Sequence, residues 1–168
     1  MMDGFTTITV DELTLNPFKT ICADWMLITA GMQGDYNTMT ASWGSLGVIW
    51  NKPAATVYVR HTRYTFEFME RYSSFTLSFF GGNFRKALNF CGTKSGREFD
   101  KAAETGLTPV TAGDSTAFAE ASLVLVCRKM YYQDMDETHF IDEEIDTFYL
   151  NKDYHRIYIG EISKIYRK

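Results

Sequence analysis

The chain has 168 residues, 45% of them hydrophobic and 23% charged, with a net charge of −4. That length suits one domain over 1–168 with a core that needs no staples. The acidic balance argues against nucleic-acid binding, and the absence of any run of eighteen apolar residues argues against a membrane span, so a soluble, cytoplasmic protein is expected.

Trp25 to Ala30 reads as a buried strand, Gly31 to Asn37 as a turn, and Thr38 to Trp43 as the returning strand of a hairpin. Leu46 to Trp50 and Thr56 to Arg60 are further strands, with Asn51 to Ala54 as the turn and Pro53 ending what precedes it. The period then changes. Within Thr62 to Tyr72, Phe66, Met69 and Tyr72 fall on helical spacing, with Thr62 or the Tyr64–Thr65 pair at the N-cap. Ser74 to Phe80 alternates as a strand and is broken by Gly81-Gly82-Asn83. Arg85 to Cys91 suits a short helix, Cys91 to Arg97 a polar loop, and Glu98 to Thr105 another helical turn stopped by Gly106. Leu107 to Thr111 and Ala119 to Tyr132 read as strands. In the second, Leu123, Leu125 and Cys127 alternate with Val124, Val126 and Arg128. Asp134 to Asn151 reads as an acidic loop with one helical turn, and Tyr154 to Tyr166 as a last strand kinked or bulged at Gly160. Many short strands with a few short helices predict a mainly β (α+β) chain of barrel type.

Charge is unevenly spread. Arg60 to Arg97 holds seven basic and two acidic side chains, whereas Asp134 to Asp153 holds eight acidic ones and a single Lys. A basic centre in an acidic chain suits a small anionic ligand. Cys22, Cys91 and Cys127 include no close pair and no zinc spacing with His61, His139 and His155, so neither a disulfide framework nor a metal is expected. No hydrolase, Walker or dinucleotide motif is present.

Three polar clusters interrupt the strands. Asn37, Thr38, Met39, Thr40, Ala41, Ser42 and Trp43 form a segment of small, hydroxylated residues along which a flat ring can approach the backbone, though an edge strand rich in Thr and Ser looks the same. Arg60, His61, Thr62, Arg63, Tyr64 and Thr65 stand where a strand gives way to a helix. Unpaired helix N–H groups beside arginines and hydroxyls suit a phosphate there, and equally suit a capped helix with solvated arginines. Lys94, Ser95 and Gly96 form a basic, permissive loop able to close on a phosphate or sugar.

Taken in order, Asn37 to Trp43, Pro53 with Val57-Tyr58-Val59-Arg60, Thr65, Phe75-Thr76-Leu77-Ser78, Cys91 to Arg97, Asp100-Lys101 and His155 to Glu161 resemble the flavin reductase-like family, closest to its flavoredoxin-type branch. The resemblance covers about Trp25 to Ile162. It implies a split β-barrel that binds FMN rather than FAD and works as a homodimer, for which the aromatic excess offers Trp43, Trp50 and Ser74 to Phe80 as interface candidates. It also implies NAD(P)H as electron donor, with the flavin N5 rather than a side chain carrying the chemistry. By the same analogy Thr38 to Trp43 line the isoalloxazine ring, Arg60 to Thr65 take the phosphate, Ser78, Phe79 and Phe80 border the ring or ribityl chain, and Lys94 to Gly96 add polar contacts. His155 falls on the nicotinamide side, where the family's Asp-His pair reads Tyr154-His155. An electron carrier docking a protein partner through the acidic stretch is the alternative. A pyridoxamine phosphate oxidase-like barrel ranks lower.

Overall fold

Alternating apolar residues and tight turns build a chain of hairpins. The computed structural model describes residues 2–168. Its strands are β1 (Thr6–Ile8), β2 (Met26–Met32), β3 (Asp35–Ala41), β4 (Gly44–Ile49), β5 (Lys52–Arg60), β6 (Ser74–Phe79), β7 (Pro109–Ala112), β8 (Ser115–Phe118), β9 (Leu123–Asp134) and β10 (His155–Arg167). Three α-helices accompany them: α1 (Tyr64–Arg71), α2 (Arg85–Thr93) and α3 (Lys101–Thr105).

The main sheet runs β3-β2-β6-β9-β10-β5-β4, with β1 paired to β10 beside this path. Its shape follows from connectivity. β3 and β4 lie at opposite ends of that order, yet only Ser42 and Trp43 separate them in the chain. Laid flat, seven strands would put the end strands roughly 29 Å apart at ~4.8 Å per step. The three peptide steps from Ala41 to Gly44 reach only about 11 Å. The sheet therefore rolls into a barrel, and since no ladder joins β3 to β4 among the described residues, the barrel is split at Ser42-Trp43.

Period-two alternation divides the apolar residues between two cores. Met26, Ile28, Ala55, Val57, Phe75, Leu77, Leu125, Cys127 and Tyr158 fill one, together with Phe68 and Met69 of α1. Leu27, Val124 and Val126, on the opposite face, pack against Leu88 and Cys91 of α2, Ala102 of α3 and the β7–β8 hairpin. Gly160 is required where β10 crosses the inner core. A Cβ there would meet the Phe75 ring at 2.8 Å, and the β9–β10 register shifts between Ile159 and Gly160, the bulge expected from the sequence.

Several expectations are corrected. The first turn is only Gln33-Gly34; Tyr36 and Asn37 already belong to β3. The β4–β5 turn is Trp50-Asn51, both at positive φ (51° and 58°) as a tight hairpin demands, and Pro53 sits inside β5 near its start. Arg63, not a threonine, occupies the N-cap of α1, and the buried face of α1 is Thr65, Phe68 and Met69, with Phe66 rotated off to pack on His61 at 4.6 Å. Every residue of β6 is buried, so Ser74 to Phe79 offer no surface to a partner. β1, β8 and a short π-helical turn at Lys19–Ala23 are additional to the expected elements. No described helix is long and apolar enough to cross a membrane.

Candidate functional site

The split places β3, the end of β5, the start of α1 and the start of β10 around one cleft. Met39, Thr40, Ala41, Ser42 and Trp43 line it on one side, and Tyr58, Arg60, Arg63 and His155 on the other, around a space of about 200 Å³. Ser42 and Trp43 lie between strands, so their backbone groups are free of the ladder. A second cavity of about 110 Å³ adjoins this cleft, with Arg63 common to both. Thr62 borders it from the turn before α1, Tyr64 and Thr65 from α1, Lys94, Ser95 and Gly96 from the loop after α2, and Lys101 from α3.

The second cavity is electropositive, bordered by Arg63, Lys94 and Lys101. The Arg63 side chain at the N-cap makes no capping hydrogen bond; the Phe66 N–H donates to the Arg63 carbonyl at 2.9 Å, and the N–H groups of Tyr64 and Thr65 have no capping side chain. Thr65 Oγ1 accepts from Asn37 Nδ2 at 2.7 Å, so its own hydrogen is not engaged in that bond. Lys101 is 6% exposed. Its Nζ donates to the carbonyls of Thr38 (2.7 Å) and Cys91 (2.9 Å), and an ammonium has a third hydrogen. Arg63 donates to the Gly92 carbonyl at 2.8 Å. Among the described residues neither Lys101 nor Arg63 forms a salt bridge. Desolvation pushes Lys101 down to about 8, helped by Arg63, and it lowers Arg63 as well. A buried ammonium beside a half-buried guanidinium, with no salt-bridge partner for either among the described residues, is costly unless an anion joins them.

His155 guards the other end of the cleft. Its Nδ1 hydrogen-bonds the Tyr149 hydroxyl at 2.7 Å, and its ring lies 5.3 Å from that of Trp43. Burial, reinforced by Arg60, drives it down to about 4, so the imidazole is neutral at pH 7.

The sequence-predicted residues therefore sort by position. Met39 to Trp43 line the cleft, and Thr62, Arg63, Tyr64, Thr65, Lys94, Ser95 and Gly96 converge on the anion cavity. Asn37 and Thr38 stand behind it: Asn37 holds Thr65, and Thr38 bonds Thr29 at 2.8 Å and supplies a carbonyl to Lys101. Arg60 is not at the anion cavity. Its guanidinium faces the segment before β10, donating to the carbonyls of Phe148 (2.9 Å) and Asp153 (3.1 Å). His61 turns away as well, with Nε2 on Asp134 at 2.9 Å and Nδ1 at the Tyr154 carbonyl. Ser78, Phe79 and Phe80 are buried, the first two in β6 between β2 and β9, and none of the three lines the cleft or the second cavity.

Lys101 and Tyr58, named from the sequence only among the residues that carry the resemblance, and Phe148 and Tyr149, not named as site residues, join the site. Lys101 carried a signal: Asp100 caps α3 by accepting from the N–H groups of Ala102 and Ala103, so the lysine occupies the first helical position, where the helix dipole disfavours a cation. A lysine held there and buried has a reason outside the helix.

The fold has close counterparts among solved structures. An FMN-binding domain of a flavin reductase-like enzyme from Shewanella baltica OS155 superposes with a TM-score of 0.69 at 19% identity, covering 98% of this chain and 77% of that one. Flavoredoxin from Methanosarcina acetivorans gives 0.67 at 22% identity, with 94% and 75% covered. An NADH:FAD oxidoreductase from Streptomyces globisporus, in complex with NAD and FAD fragments, gives 0.64 at 18% identity, with 86% and 74% covered. No curated protein matches the chain by sequence. These likenesses establish the architecture as the split barrel of FMN-binding proteins. The family model for the flavin reductase-like domain matches residues 18–167, and the chain belongs to that family.

Proposed function

We propose that the chain holds FMN, with its phosphate in the cavity of Thr65, Ser95 and Lys101 and its ring along Met39 to Trp43, and that it works as a flavin oxidoreductase supplied by NAD(P)H. The observation that carries this reading is the buried Lys101 beside the half-buried Arg63, neither in a salt bridge among the described residues, at a cavity bordered by the N-terminal end of α1. FMN supplies a ring that takes a hydride at N5 and passes electrons on. The protein's part is placement. Thr65, Ser95 and Lys101 fix the phosphate end, and the unpaired backbone at Ser42-Trp43 meets the polar edge of the ring. His155, neutral and oriented by Tyr149, keeps a second positive charge away from the nicotinamide side. Trp43 and Trp50, 41% and 56% exposed, are the surfaces on which a second copy would pack in a homodimer.

The test is the visible spectrum of the protein with FMN, followed by anaerobic NADH and NADPH. Flavin bands that bleach with either nicotinamide support the reading, and failure to retain FMN refutes it. A second reading, an electron carrier with bound FMN, draws on the exposed acidic stretch around Asp142, Glu143 and Glu144, next to Phe148 at the cleft. It expects bands that bleach with dithionite alone, and a protein partner whose binding weakens steeply with salt.

A further inference from the structure

An apolar cavity of about 760 Å³ lies on the far side of Trp43 from the anion cavity. It shares Ser42, Trp43 and Tyr58 with the lining of the flavin cleft, and Phe148 and Tyr149 on its wall meet Trp43 and His155 of that cleft. Phe18, Ile21 and Leu46 form one wall; Phe140, Ile145 and Phe148 form the other. Phe148 meets Trp43 edge to face at 5.4 Å, and Phe140 stacks on Tyr149 at 5.7 Å, so the walls are largely aromatic.

Charge narrows the occupant. None of the lining residues carries a formal charge, although one wall comes from a segment holding Asp136, Glu137, Asp142, Glu143, Glu144 and Asp146. All six of those carboxylates are exposed around the outside. An anion would be repelled at this rim and find no cation within. A cation would lose its hydration and find no carboxylate facing it. A pyrophosphate has no partner here either. What fits is apolar area with π-faces, in a volume within the range of small-molecule sites.

We propose that this cavity binds a neutral, planar aromatic small molecule of one or two rings, separately from the flavin. The inference rests on the flavin reading only for its neighbour across Trp43, and its test is run with and without FMN so that the two can fail independently. Menadione is titrated calorimetrically into the protein, alongside 1,4-naphthoquinone-2-sulfonate, which has the same rings and a negative charge. Menadione is expected to bind both FMN-free and FMN-loaded protein, and at least tenfold more tightly than the sulfonate. Ile145→Asp, which puts a charge in the wall, is expected to weaken menadione at least tenfold, and Phe148→Ala severalfold. Ile141→Asp makes the same charge change on a side chain 97% exposed outside the cavity, and is expected to leave binding unchanged. Unaltered thermal melting confirms that each variant is folded; Phe148→Ala decides the matter if Ile145→Asp is not. Equal affinity for the two quinones, or indifference to Phe148→Ala, overturns the proposal. So does competition between menadione and FMN, which would make the cavity part of the flavin site, or binding that occurs only after dilution to monomers, which would mean that a second copy covers it. Menadione binding to a protein that never retains FMN would sink the flavin reading and leave this one standing.

Discussion

Lys101→Met tests the anion cavity at the residue on which it most depends. The substitution keeps an unbranched apolar stem and removes the charge. In the wild type, two of the three ammonium hydrogens are engaged by the Thr38 and Cys91 carbonyls, leaving one for a ligand. A charge-assisted hydrogen bond to phosphate contributes about 1.5–3 kcal/mol, so FMN should bind roughly 10–100-fold more weakly to the variant. Riboflavin, which lacks the phosphate, is the control and should bind both proteins alike. The pH dependence has a definite sign. In the free protein Lys101 sits at about 8, below its ordinary value, so above that pH it is largely neutral. A phosphate stabilises the ammonium, so FMN binding takes up a proton there. FMN affinity should fall as pH rises from 8 to 9.5, by at most about tenfold per pH unit, while riboflavin affinity stays flat. In Lys101→Met that decline disappears. Titration of flavin fluorescence quenching at several pH values measures all of this. If riboflavin weakens as much as FMN, the variant has distorted the site and the phosphate assignment fails. If the decline above pH 8 persists in the variant, another group is responsible.

Three further outcomes follow from individual contacts. Gly96→Ala would drive a Cβ into the Asn37 amide that holds Thr65, so we expect a loss of about 1–3 kcal/mol in urea-unfolding stability together with weaker FMN binding; unchanged values for both would show that the loop yields freely. His155 sits at about 4 when folded against an ordinary 6.5. Its contribution is intact above pH 6.5 and is lost as pH falls through about 4, roughly 2–3 kcal/mol after allowing for residual hydration; urea melts from pH 7 to 4 should show this loss in wild type and a flatter profile in His155→Gln. Arg60→Ala removes both bonds that hold the Phe148 and Asp153 carbonyls, so limited proteolysis should cut faster between 141 and 151 while FMN affinity changes less than in Lys101→Met. An FMN loss matching that of Lys101→Met would return Arg60 to the phosphate.

The sequence disclosed most of the barrel and only part of the site, for separable physical reasons. Strands with clean alternation, such as Leu123 to Arg128, reveal both their existence and their two faces, and Gly160 announces its bulge because a missing side chain inside a strand needs an explanation. Short β8 (Ser115–Phe118) lacks enough residues to display a period, and Trp50-Asn51 hides its turn because neither residue is the glycine usually found at positive φ. In the site, residues contiguous in sequence were readable as clusters, but direction was not. Arg60 and Arg63 look equivalent at one strand–helix corner, yet Arg60 closes β5 facing the β10 segment and Arg63 caps α1 facing the Gly92 carbonyl. Their division of labour arises from contacts 29 and 88 residues distant, which no local pattern records. Ser78 to Phe80, placed by analogy with the family, are buried, which alternation does not show because it reveals two faces without revealing that both are covered.

The position of the site follows from the split itself. A closed barrel pairs every strand edge, and a core residue can then be exchanged for a ligand only by opening a cavity. Here β3 and β4 part at Ser42-Trp43, so the backbone of two residues lies outside the ladder without any strand having to open. Unpaired polar groups next to apolar walls are costly until something bonds them, and a flat, polar-edged ring does so while covering the apolar side. The same break explains why the sequence leaves apolar residues in its acidic stretch. Phe148 and Tyr149 cover the open side of the split through Trp43 and His155, and Arg60 anchors them by the Phe148 carbonyl and by lying over the Tyr149 ring at 5.1 Å, while Asp142, Glu143, Glu144 and Asp146 remain exposed. Pairing β3 directly with β4 would remove the unpaired groups, the gap that Phe148 and Tyr149 border, and with them the reason for a ligand to bind.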